Sequence, residues 1–234
     1  MIRIEYIFKL SESHHHSFTV NLDELSLRIV HPEDRVVPDW ALLNKNRCEH
    51  CPMDASLYKY CPVAANIAHL IDTFKDVPSY QTADITVVTA ERNFSKTTSV
   101  QEGMSAILGI LMVASGCSVM EKLKPMVRFH LPFSNLQETL FRATSTYMLG
   151  QYFMGLRGRK PDFDLDGLDK IYQRVHKLNR FIAERMRGAY EEDSGSNALG
   201  VLDLFSNMLN IEVKKHLQDL EYIYAPYIIE EGHF

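Results

Sequence analysis

Along the first thirty or so residues the apolar positions recur every second residue. Ile2, Ile4, Tyr6, Phe8 and Leu10 alternate with Arg3, Glu5 and Lys9, the period that buries one face of a β-strand. Ser11 to His16 is polar and reads as a connection. Phe18, Val20 and Leu22 resume the alternation, Asp23-Glu24 suits a tight turn, and Leu25, Leu27 and Ile29 continue as a third strand. Asp84 to Ala90 is rich in β-branched residues and predicts a further strand that completes the same sheet. The His14-His15-His16 run reads as a solvated loop tip, because adjacent residues in an extended loop do not converge on one ion as spaced ligands do.

Elsewhere the period is helical. Val63, Ile67, Leu70, Ile71 and Phe74 share one face, with Pro62 suited to the first helical position and Cys61 to the N-cap. Ser99-Val100-Gln101-Glu102 has the form of a capping box. The helix it opens, about 100–115, is apolar on nearly every side and predicts a buried central element. Gly103 and Gly109 would each let a neighbour pack closely, and Gly116 would end the helix. Further helices are predicted over about 134–156, 168–187 and 197–224, the last as one bent helix or two, with a flexible loop at Glu191–Ser196. His31 to Asn46, with Pro32 and Pro38, is an irregular crossing that Trp40 is expected to pin to the core.

The fold class these patterns predict is α+β: a small N-terminal antiparallel or mixed sheet packed on a mainly helical C-terminal bundle. Within a single domain, 1–234, the meander takes 1–46, the cysteine stretch with its helix and strand 47–97, and the helical part 98–234. A chain of 234 residues, 46% hydrophobic and 24% charged, can build such a core. The net charge of −5 argues against nucleic acid as the default partner. No apolar run approaches the length a bilayer needs, and the alternating start does not read as a secretory leader. A cytoplasmic location, with thiols kept reduced, is therefore expected. The identity of a protein or small-molecule partner is not encoded in any recognisable motif.

Four cysteines carry the candidate chemistry. Cys48 and Cys51 have the Cys-x2-Cys spacing with which one turn grips one ion in zinc and iron–sulfur sites. Cys61 would stand at a helix N-terminus, where the dipole favours thiolate, and Cys117 just beyond a helix C-terminus. The second knuckle of a zinc ribbon is missing. The four sulfurs are expected to meet and hold either Zn²⁺ or an iron–sulfur cluster, with His50 and His130 as reserve ligands; buried, unligated thiols are the competing reading. Proline follows both Cys51 and Cys61, a step that also ends the ligand run of bacterial ferredoxins.

Cys-x2-Cys-Pro, Tyr60-Cys61-Pro62-Val63-Ala64, Ser115-Gly116-Cys117 and Phe129-His130-Leu131-Pro132-Phe133 together resemble an uncharacterised bacterial family, a domain of unknown function, over most of the chain. The family pattern has proline after the last cysteine, where this chain has Ser118. The resemblance implies bacterial origin and carries no activity.

Other constellations are weaker. Asp162 to Gly167 matches the first half of an EF-hand loop, but Gln173 stands where a bidentate glutamate is required, so Asp164 or Asp166 is expected to cap the following helix. Glu138 and Arg142 are four apart and pair on a helix surface, or with His130 line a polar pocket of an enzyme. Lys122, Lys124, Arg128 and His130 form one basic patch, and Arg157, Arg159 and Lys160 another at a helix end. Neither a phosphate-cradling glycine loop nor a serine nucleophile elbow is present.

Overall fold

A computed structural model describes residues 1–190 and 213–228. The predicted loop at Glu191–Ser196 and the 197–212 part of the last predicted helix lie outside the described residues. The described chain forms two compact units, one of residues 1–133 and 175–190, the other of residues 134–174 and 213–228. The fold class is α+β, as the periodicity predicts.

The first unit is built on a four-stranded antiparallel sheet of order β2-β1-β3-β4, formed by β1 (Ile2–Lys9), β2 (His15–Leu22), β3 (Thr82–Val88) and β4 (Asn93–Ser99). Its period-two residues Ile4, Tyr6, Phe8, Phe18, Val20, Leu22, Ala83, Ile85 and Val87 are buried. Helices α1 (Pro62–Phe74) and α2 (Val100–Val113) pack on each other, and α2 lies against β1, β3 and β4. Gly103 makes that approach possible: a Cβ there would stand 2.5 Å from the Phe8 ring and 2.6 Å from Ile85 Cδ1. Gly109 has no such role, since a Cβ at that position meets nothing within 4 Å.

Local competition explains where the strands depart from expectation. Leu25 to Ile29 is not a third strand. The Asp23 carboxylate accepts from the Ser26 N–H (2.7 Å) and hydroxyl (2.6 Å), and Leu27 turns through a φ of 54°. Only a single bridge, Leu22 to Ile29, survives. β4 was not expected, because its Asn-Phe-Ser-Lys-Thr-Thr-Ser sequence lacks apolar alternation; as an edge strand it needs only backbone pairing to β3. The histidine run is no loop tip, since His15 and His16 begin β2, opposite Lys9 and Phe8. Trp40 is only half-buried, and its neighbours Ala41 and Leu43 reach the core instead.

At the start of α2, Ser99 Oγ accepts from the Glu102 N–H at 3.3 Å. The reciprocal half of the box is replaced: the Glu102 carboxylate takes Lys96 Nζ at 2.6 Å and the Thr98 hydroxyl. α2 ends at Ala114, and Gly116 follows with a φ of 96°, a left-handed turn that favours glycine. A short helix α3 (Lys124–Arg128) follows, and in the basic patch Lys124 pairs with Glu121 at 2.7 Å.

In the second unit, α4 (Leu136–Leu156) opens on a full capping box between Asn135 and Glu138. Of its apolar residues Leu140 is buried, whereas Leu136, Phe141, Leu149, Tyr152 and Phe153 are about half exposed. The helix Val213–Leu217 lies against α4, followed by a tighter turn at Gln218–Tyr224 and a last helical turn at Ala225–Ile228. α5 (Asp166–Tyr190), whose residues up to Arg174 belong to this unit and whose residues from Val175 belong to the first, carries the predicted stripe, with Leu168, Ile171, Tyr172, Val175, Leu178, Ile182 and Met186 all buried. Asp162 holds its start: Asp162 Oδ2 accepts from the Gly167 N–H at 2.6 Å and the Tyr147 hydroxyl at 2.7 Å. Those bonds hold the Asp162 carboxyl below the usual carboxylate range.

Candidate metal centre

Three backbone features of the first unit position the cysteines. Cys48 and Cys51 flank a turn closed by the Cys51 N–H on the Cys48 carbonyl at 3.0 Å. Arg47 buttresses that turn, donating to the Cys51 carbonyl at 3.1 Å and to the Met53 carbonyl. Cys61 is the N-cap of α1, with Pro62 at the first helical position. Its N–H donates to the Ala41 carbonyl at 2.8 Å, and Leu43 pairs with Lys59 beside it. Cys117 follows the Gly116 turn, where its N–H donates to Ser115 Oγ at 3.1 Å. The guanidinium of Arg28 lies over Gly116, in the space a Cβ would take, and pairs with Glu121 at 2.8 Å.

All four cysteines are free, with Cys61 buried and the other three partly so. They lie within electrostatic reach of one another. Burial pushes the Cys48 thiol up to about 12, and Cys61, Cys117 and Cys51 each add to the rise. Burial likewise pushes Cys117 up to about 11, with Cys61 and Cys51 adding and backbone hydrogen bonds of Val119 and Met120 opposing. Residues far apart in the chain thus share one neighbourhood. As they stand, no three His, Cys, Asp or Glu side chains among the described residues form a ready cation-holding group.

The same neighbourhood holds Arg185 of α5, which has no counterpart in the reading of the sequence. Its side chain is buried, only 3% exposed. The guanidinium donates to the carbonyls of Trp40 (3.1 Å), Leu42 and Asn46 (3.1 Å), while its Nε has no hydrogen-bond partner among the described residues. Burial lowers its pKa, and Cys61, Cys48 and Cys51 act in the opposite direction. A buried cation costs several kcal/mol unless an anion or good hydrogen bonds offset it. Arg185 falls on the edge of an apolar stripe 124 residues beyond Cys61; an arginine close to Ile182 and Met186 is the one local hint the sequence offers.

The reserve ligands have other contacts. His50 Nε2 stands 3.5 Å from Lys177 Nζ on the surface. His130 Nε2 is 2.5 Å from the hydroxyl of Tyr6, a fully buried residue whose pKa burial raises strongly. Of the pair in the second unit, Glu138 serves the α4 cap, giving its carboxylate to the Asn135 N–H at 2.8 Å. Arg142 is half-buried, its pKa lowered by desolvation and supported by Tyr172 and Glu138.

No described helix is long and apolar enough to cross a membrane. Searches of curated proteins and of solved structures return no match. A family model does match, from β1 to the last described helical turns: over residues 4–225 the chain belongs to the family described as Domain of unknown function (DUF6901).

Proposed function

We propose that the chain is a cytoplasmic metal-binding protein in which Cys48, Cys51, Cys61 and Cys117 hold a structural Zn²⁺, with a binding or regulatory role. The observation that carries this reading is that four free thiols from three separate segments lie within electrostatic reach of one another, three of them, Cys48, Cys51 and Cys61, also within reach of the buried Arg185 guanidinium. A zinc ion held by four thiolates carries a net charge of about −2. Arg185 then acquires the anion that its burial otherwise lacks, and the ion is favoured in return. Loading requires the sulfurs to turn inward onto one ion and the thiols to lose their protons, so uptake releases acid.

The Cys-Pro steps at Cys51 and Cys61 also suit a four-iron cluster, for which the same four sulfurs and the same cation would serve. Metal analysis of untagged protein purified without oxygen separates the two. One zinc per chain in a colourless preparation, lost in Cys61→Ser together with stability, supports the first reading. A brown preparation with iron and broad visible absorption supports the second. Metal-free protein of undiminished stability overturns both.

A further inference from the structure

We infer that His14 and His16 form a second, independent metal site, a two-imidazole chelate for a borderline divalent cation such as Ni²⁺ or Zn²⁺, at the open end of β2. His16 is the second residue of β2 and His14 the residue that precedes the strand, and their two rings meet, while His15 leaves the strand on the face opposite His16. Their Nε2 atoms stand 3.2 Å apart, with the rings at 5.0 Å and 72°. Two nitrogens on one tetrahedral zinc, each at 2.0–2.1 Å, are separated by about 3.3 Å. The imidazole spacing already matches the edge of that tetrahedron, and His14 is exposed and His16 partly so, so an ion that replaces the proton between the two rings can reach them from solvent.

The backbone holds the pair in place. His14 accepts from the Leu10 N–H (2.9 Å) and the Ser11 N–H (3.2 Å), and its own N–H donates to the Ser11 carbonyl at 3.4 Å. His16 is paired with Phe8 in the sheet, and its ring rests on Phe74 of α1 at 5.5 Å. Little ordering remains to be done when an ion arrives, which is what makes two ligands sufficient for measurable binding. Imidazole nitrogen suits Ni²⁺, Cu²⁺ and Zn²⁺ and not the hard cations. Water would complete the shell, so the site is an open one.

The test is calorimetric titration of Ni²⁺ into full-length protein already given one equivalent of Zn²⁺, at neutral pH, in the wild type and in His14→Ala, His15→Ala and His16→Ala. One Ni²⁺ per chain is expected in the wild type and in His15→Ala. His14→Ala and His16→Ala should each weaken it by at least about tenfold, since losing a ligand costs no less than losing the hydrogen-bond partner that orients one. Ni²⁺ should also broaden the imidazole signals of His14 and His16 in the proton spectrum before any others. No uptake by the wild type, equal loss in His15→Ala, or unchanged binding in the His14 and His16 variants would overturn the inference. Because His14 is exposed and His16 lies at a strand end, all three variants should fold, which their circular dichroism checks.

Discussion

Arg185 shows how much one side chain can be asked to do. Its fork reaches three carbonyls of the 40–46 segment, which carries the chain toward the Cys48 turn. Lysine keeps the charge and loses the planar fork. Arg185→Lys should therefore cost about 2 kcal/mol, the order expected when buried acceptors lose charged donors, read as a lower urea midpoint at unchanged slope. His31 is a second residue with a measurable signature. Its Nε2 meets Asn66 Oδ1 at 2.9 Å, and burial, then the nearby Arg35, lowers its pKa. A histidine depressed in the folded state stabilises fully above its unfolded value near 6.5 and loses that contribution as pH falls toward the folded value. The stability difference between wild type and His31→Gln should accordingly shrink on acidification below about pH 6.5; a difference that grows instead would mean the pKa is raised.

Among the elements, α2 offers two glycines with opposite expectations. Gly103→Ala drives a methyl into the Phe8 ring and Ile85 and should destabilise by about 1–3 kcal/mol, as overpacking does. Gly109→Ala places a methyl in open space and should stabilise by roughly 0.5–1 kcal/mol through helix propensity. Thermal melts of the two variants decide this, and a common sign would refute the packing account. In α4 the reciprocal box makes Asn135 more than a turn residue. Asn135→Ala should cost about 1 kcal/mol, visible in amide exchange as faster opening of the first turn of that helix. The same Asn-x-x-Glu pattern was there to be seen in the sequence, one position from the Ser134 start assigned by periodicity. At Ser99 the sequence carries the same pattern, and half of it is overridden because Lys96 and Thr98 lie within reach of Glu102 on the adjoining β4.

For the molecule as a whole, metal and stability are linked if the four-thiol centre is loaded. A ligand that binds only the folded chain adds about 2.7 kcal/mol at a free concentration a hundred times its Kd. Removing zinc with a chelator should then lower the melting temperature of the wild type and leave that of Cys48→Ser/Cys61→Ser nearly unchanged. Equal melting of loaded and stripped wild type would show that the thiols are buried without a metal.

Periodicity, capping residues and proline positions act over a few residues, and these the chain spelled out by itself. The strands β1, β2 and β3, the buried helix α2, the stripe of α5 and Cys61 at an N-cap all follow from spacing within one element. The list of thiols was legible too, because cysteine is rare and its spacing is chemical. What the tertiary structure alone decided is neighbourhood. Edge strand β4 is polar and exists because β3 offers it a partner. His14 and His16 meet at the start of β2, which begins three residues before Phe18 opens its apolar alternation. Arg185 faces the cysteines because α5 returns to the first unit, and no local pattern can announce a partner more than a hundred residues away. Short-range order is written in side-chain size and hydrogen-bonding type, whereas the company a buried charge keeps is set only when the chain has closed on itself.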